Sequence, residues 1–167
     1  MFRKFIRPSI FLTASLLMTS RAFTQNLPPP PPIQYGMPIS LDIAKKAAGA
    51  AIAEARKNNW TMAVAIVDPG GFLVYFEKID GTQNASADLA IEKARTAALF
   101  KRPSKLFQDA VAGGGEGTRI LRLTGAIPID GGIPIIMGGK IIGAVGVSGG
   151  AGDQDGRVSK AGADSIK

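Results

Sequence analysis

The feature that most limits how this chain folds is a pair of apolar runs, 133–137 and 141–147, separated by little more than Gly138 and Gly139. Glycine accepts the positive φ that a tight hairpin turn demands, so the two runs are read as antiparallel neighbours. A similar unit lies upstream: 62–67 reads as a buried strand, Asp68, Pro69, Gly70 and Gly71 as a tight turn, and 72–77 as a second strand. Hairpins build antiparallel sheets, whereas parallel strands need long crossovers. Helices are expected around them. Ser40 suits the N-cap of a helix over 41–58, in which Ile43, Ala47, Ala51 and Ala55 recur on one small-residue face that lets the helix lie close to a sheet or to another subunit. An alanine-rich helix follows over 86–100, stopped by Pro103, then a short one over 104–112, and a last one starting near Asp153. The stretch 118–132 has no period and reads as a loop over the surface or over a site. The order predicts a mixed α/β domain of the α+β kind: a mainly antiparallel sheet of four to five strands flanked by helices, and not a Rossmann fold.

Residues 1–22 have the three parts of a secretory signal peptide: a basic start at Arg3, Lys4 and Arg7, an apolar stretch over 10–18, and small residues Ser20 and Ala22. The apolar stretch is far shorter than the roughly 20 residues of a membrane-spanning helix, so cleavage after Ala22 and no membrane insertion afterwards are expected. The destination is the periplasm or the outside. Residues 23–36 form a proline-rich linker in which Pro28 to Pro32 favour polyproline II, a stiff spacer or a docking site for a proline-reading partner. The folded domain is expected over 37–167.

Among 167 residues, 46% are hydrophobic, enough for one domain with a real core, and there is neither cysteine nor histidine. Disulfides, thiolate metal sites, cysteine nucleophiles, Ser-His-Asp triads and histidine-ligated metal are thereby excluded. A general acid or base would have to be Lys, Asp, Glu or Tyr. The net charge of +7 falls with the signal segment, whose removal leaves 16 basic against 13 acidic residues. No basic stripe remains, so nucleic acid is not an expected partner.

The glycine clusters do not make a phosphate loop, since 113–117 lacks the Lys-Ser/Thr pair and no strand-GxGxxG-helix unit is present. Gly131 and Gly132 on one side, and Ser148, Gly149 and Gly150 on the other, bracket the second hairpin at one end, where bare amides would gather beside the start of the last helix. Lys93 is the odd residue on a stripe with Ser86, Ala90 and Ala97. It reads either as a cation paired in the core with a carboxylate such as Asp68, Asp80 or Asp155, or as a ligand-binding group. Asp153 and Asp155 read as caps of the last helix. Glu116 and Arg119, beside the unpatterned stretch, are candidates for touching a ligand.

Taken together, the run VAIVDPGGFLVYFEKID over 64–80, Gly81, Ser86, Ala90, Lys93, Ala94, Thr96 and Ala97, the run GGIPIIMGGKIIGAVGVSGG over 131–150, and Gln154, Asp155, Ala161 and Gly162 resemble the GlcG/HbpS family, also described as the haem-degrading domain family. The resemblance covers about 40–167. It implies a profilin-like or PAS-like sandwich, homo-oligomers, and members that bind haem or act on it. With no histidine, a haem iron here would be left to Tyr, Met, Lys, a hydroxyl or nothing, and Met62, Met137, Tyr35 and Tyr75 are the candidates. The expectation is a secreted or periplasmic, homo-oligomeric small-molecule-binding module with haem or another tetrapyrrole as its ligand. Lys93, Arg119, Gly131, Gly132, Ser148, Gly149 and Gly150 form the expected site, without a catalytic residue or a metal site in the chain itself. The alternatives are a binder of a small carboxylate or other anionic metabolite, a structural homo-oligomer, and degradative chemistry on bound haem.

Overall fold

The computed structural model describes residues 31–167, so the signal peptide read over 1–22 and the first part of the linker lie outside the described residues. In chain order the elements are β1 (Gln34–Tyr35), α1 (Leu41–Lys57), β2 (Ala63–Val67), β3 (Leu73–Lys78), α2 (Ser86–Leu99), α3 (Lys105–Ala112), a 3-10 helix (Gly115–Arg122), β4 (Gly132–Met137), β5 (Lys140–Ser148) and α4 (Gly152–Asp164). Both expected hairpins form: β2 pairs antiparallel with β3, and β4 with β5. They join into one five-stranded sheet because β2 also pairs antiparallel with β5, Ala65 opposite Gly146.

Lys140 and Ile141 of β5 pair with β4 on one edge and with β1 on the other, so β1 continues the row of β2 along the same side of β5. This parallel contact, Gly36 N–H to the Ile141 carbonyl at 2.8 Å, comes from residues that the sequence assigned to the linker. Two residues carry no alternation to read. They are held instead from the side: the Tyr35 hydroxyl shares its one hydrogen between the Ala98 and Leu99 carbonyls at 2.9 and 3.0 Å, acceptors at the end of α2 that have no partner within the helix.

The two faces of the sheet carry different residues, as the two-residue period of a strand requires. Val64, Ile66, Val145 and Val147 face α1 and α4 in the main core, each burial contributing about 1.5–3 kcal/mol. Ala63, Ala65, Val67 and Ala144 face α2, which returns Ala90, Ala94, Ala97 and Ala98. The small residues let α2 lie directly on β5. A Cβ on Gly146 would overlap the Ala90 carbonyl, and one on Gly132 would overlap the Lys93 carbonyl. The alanine face of α1 finds its partner within the chain, where Gly162 of α4 lies against Ala47 and Ala51. Ser40 caps α1 as expected, accepting from the Ile43 N–H at 3.4 Å.

The stretch expected to be loop departs from that reading in its first part. Gly115–Arg122 coils as a 3-10 helix, with Gly117 seated on the Ala110 carbonyl and Thr118 Oγ1 donating to the Gly115 carbonyl at 2.8 Å. A repeat of three residues escapes a search at 3.6. Beyond it, β4 is an edge strand whose outward groups are disarmed. Ser104 bonds Gly132 in both directions, at 2.9 and 2.8 Å, and the next outward position is Pro134, which has no N–H to offer. No helix among the described residues is long and apolar enough to cross a membrane.

Candidate functional site

The expected glycine cluster assembles around a buried ion pair. Lys93, 1% exposed, leaves α2 and passes Gly131 to place Nζ 2.6 Å from Asp155 Oδ2 on α4 and 3.1 Å from the Val147 carbonyl. Asp155 Oδ1 accepts the Gly150 N–H at 3.0 Å. Burial pushes the Asp155 carboxyl up from its ordinary value, against the pull of Lys93 and of the Gly150 amide. Asp155 is therefore not the helix cap that the sequence suggested: the N-cap is Ala151, whose N–H is taken by Gln154 Oε1 at 3.0 Å. Asp155 is the carboxylate that satisfies the lysine. Asp153 stays exposed in the first turn of α4, where it complements the dipole.

Glycine at 131 is required by geometry. Its φ is +121°, and a Cβ there would sit 2.6 Å from the Val147 carbonyl oxygen, 2.9 Å from Asp155 Cβ and 3.0 Å from Lys93 Cδ. Gly149 and Gly150 are likewise crowded by Met62, and Ser148 Oγ donates to Ser86 Oγ at 3.4 Å. The structure thus brings together Lys93, Gly131, Gly132, Ser148, Gly149 and Gly150. Their amides are largely spoken for by the chain itself: Gly131 donates to Asp130 Oδ1 at 2.7 Å, Gly132 to Ser104 Oγ, and Gly150 to Asp155.

Arg119 is not part of this cluster. It stands exposed on the 3-10 helix and pairs at 2.6 Å with Glu116, one turn back, so these two ligand candidates satisfy each other. Met62, Met137, Tyr35 and Tyr75 are also scattered. Met62 is fully buried, Met137 ends β4, Tyr35 is tied to the end of α2, and the Tyr75 hydroxyl donates to Glu77 Oε2 at 3.2 Å.

Open space lies beside the cluster, along the free edge of β4. One groove of about 690 Å³ is walled by Ile33, Pro103, Ile133, Pro134, Ile136, Ala163 and Ile166, with Lys101 and Lys167 among its polar residues. A second, of about 550 Å³, shares Pro103, Ile133 and Asp164 with it and extends over Asp130, Gly156, Arg157 and Lys160. Both fall in the range of about 300–1,000 Å³ usual for small-molecule sites. The sequence reading missed Ser104 and Asp130, which close the cluster. Their only local signal is position, Ser104 after Pro103 and Asp130 before the Gly131–Gly132 pair.

The first groove suits a tetrapyrrole in chemistry as well as size, with apolar walls for the ring and lysines for carboxylates. Lys101 already donates to the Ile33 carbonyl at 3.1 Å and lies over the Tyr35 ring at 4.1 Å. No tyrosine or methionine lines either groove, so an iron there would find no ligand of those types in the wall.

The comparisons with known proteins agree with this fold. The chain is 39% identical over 110 residues to protein GlcG of Escherichia coli strain K12, an alignment spanning 66% of this chain and 81% of GlcG. The crystal structure of Klebsiella pneumoniae protein ORFY superposes with a TM-score of 0.71 at 30% identity, covering 79% of this chain and 92% of that one. A crystal structure of a PduOC:heme complex does so with a TM-score of 0.70 at 25% identity, covering 78% and 96%. Residues 39–164 match the family described as haem degrading protein HbpS-like, and the chain belongs to that family.

Proposed function

We propose that this protein is a secreted or periplasmic module that binds haem or another tetrapyrrole in the 690 Å³ groove beside β4, without histidine ligation. The observation that carries the reading is the groove itself, an apolar trough with lysines among its lining residues, in a fold shared with a protein crystallised with heme. Ile133, Ile136 and Ile166 would take the ring, and Lys101 and Lys167 the propionates. Bound haem would supply a redox-active iron, held by the apolar wall and the lysines and not by a histidine. Secretion rests on the basic, apolar and small-residue order of 1–22. Assembly with copies of itself completes the reading.

The test is a titration of the chain without residues 1–22 with ferric haem, following the Soret band against an unfolded control. A saturable shift at about one haem per chain or per dimer, lost in Ile136→Glu, is the expected result. An absorbance that rises without saturation, or a shift unchanged in Ile136→Glu, overturns the assignment to this groove.

A further inference from the structure

The 550 Å³ groove has a recognition element that the haem reading does not use. Asp130 is 7% exposed, yet only Oδ1 is engaged, by the Gly131 N–H at 2.7 Å. Its Oδ2 has no hydrogen-bond partner among the described residues, and the side chain lines the groove. A notch in α4 makes room for it: a Cβ on Gly156 would stand 2.5 Å from Oδ2. Glycine within a helix costs about 1 kcal/mol relative to alanine, and here the missing side chain is what admits the carboxylate. Oδ2 is not sealed from solvent but opens on the groove, where water or a donor from a ligand can complete it.

The charge around it decides what that something is. Each cation on the groove wall is already paired: Lys105 with Asp109 at 2.7 Å, Arg157 with Glu54 at 2.7 Å, and Lys160 with Asp164. Lys93 is sealed behind the wall on Asp155. Asp130 and the exposed Asp153 are the lining carboxylates left without an ion-pair partner. Pro103, Ile133 and Ala161 supply apolar surface beside them.

We infer that this groove is a second binding site, for a small aliphatic primary amine whose ammonium group docks on Asp130 Oδ2 while its hydrocarbon lies along Pro103, Ile133 and Ala161. A carboxylate or phosphate ligand would meet the Asp130 charge. An alcohol would make an uncharged hydrogen bond only, weaker than one with an ammonium donor. The two grooves share Pro103, Ile133 and Asp164, but Asp130 lines only this one and Ile136 only the haem groove, so Asp130→Asn and Ile136→Glu test the two assignments separately.

The experiment titrates the whole secreted chain with butylammonium chloride, 1-butanol and sodium butyrate, reading the amide shifts of Gly131 and Gly156 by NMR. Saturable shifts with butylammonium, at least about tenfold weaker binding of butanol, and none of butyrate are expected. Asp130→Asn, which keeps the acceptor for Gly131, is expected to weaken the amine about tenfold and leave butanol unchanged. Shifts that match those from sodium chloride, equal affinity for butanol, or full amine affinity in Asp130→Asn each overturn the inference. The butanol arm is read on the unsubstituted protein, so the test survives a variant that fails to fold.

Discussion

Lys93 and Asp155 meet at 2.6 Å although they belong to helices on opposite faces of the sheet. The lysine stem passes through the space that Gly131 leaves open, so one ion pair ties the two helical layers together at the margin of the sheet. Each side has one further bond, from Lys93 Nζ to the Val147 carbonyl and from the Gly150 N–H to Asp155 Oδ1.

Lys93→Met is expected to destabilise the fold by about 3–5 kcal/mol, because it strands a buried carboxylate. Asp155→Leu leaves a buried ammonium and is expected to cost a similar amount. The double variant should cost clearly less than the sum, since neither charge is then left alone. Urea unfolding of the four proteins measures this, and simple additivity would show that the pair is not coupled. Haem affinity, read at the Soret band, is expected to be unchanged in any variant that remains folded.

Stability should also carry the signature of Asp130, whose carboxyl is pushed up by burial. An acid with a raised folded-state pKa binds more protons folded than unfolded, so its contribution is present at low pH and is lost as pH rises through the folded value. Asp130→Asn removes that loss. Its melting temperature relative to the unsubstituted protein is therefore expected to climb from about pH 3.9, the ordinary aspartate value, through the raised folded value. Thermal melts across pH check the sign, and a difference that falls with rising pH contradicts it.

At Gly146 the approach of α2 leaves no room for even one methyl group. Gly146→Ala would drive a Cβ into the Ala90 carbonyl and to 2.5 Å from the Ala94 amide nitrogen. The expected cost is at or beyond the upper end of the ~1–3 kcal/mol typical of overpacking, because both obstacles are backbone. Gly49, with nothing within 4 Å of a built Cβ, is the control. Gly49→Ala, within α1, should stabilise by about 0.4–1 kcal/mol in the same unfolding assay.

The short strand β1 is held in part by one hydroxyl. Tyr35→Phe keeps the ring under Lys101 and removes the shared bond to the end of α2, for an expected loss of about 0.5–1.5 kcal/mol. The Gly36 amide, bonded to Ile141 at 2.8 Å, should exchange faster with deuterium in the variant, while amides of β2 stay protected.

Much of the fold was legible in the residues. The Gly138–Gly139 turn, the β2–β3 hairpin, the cap at Ser40 and the stop at Pro103 are local signals, read from neighbours within a few positions, and the elements they bound were found within a residue or two. The site was legible in outline only. The glycines that bracket the hairpin and the odd lysine among alanines do converge, but Arg119 does not join them, and the grooves along β4 could not be read. A groove is built from Ile33, Ile133 and Ile166, whose separation in the chain carries no pattern.

The sequence by itself determined the local conformations, the hairpin pairings, the absence of any histidine or cysteine chemistry, and the resemblance that led to the family. Those follow from φ preferences, side-chain periodicity and composition, which act residue by residue. Only the tertiary structure decided that Asp155 rather than Asp68 or Asp80 receives Lys93, that Tyr35 holds a fifth strand, and that Asp130 keeps one oxygen open. Those depend on which backbones approach closely enough to bury a charge, and that distance is set by the glycines and alanines of three separate elements packing at once.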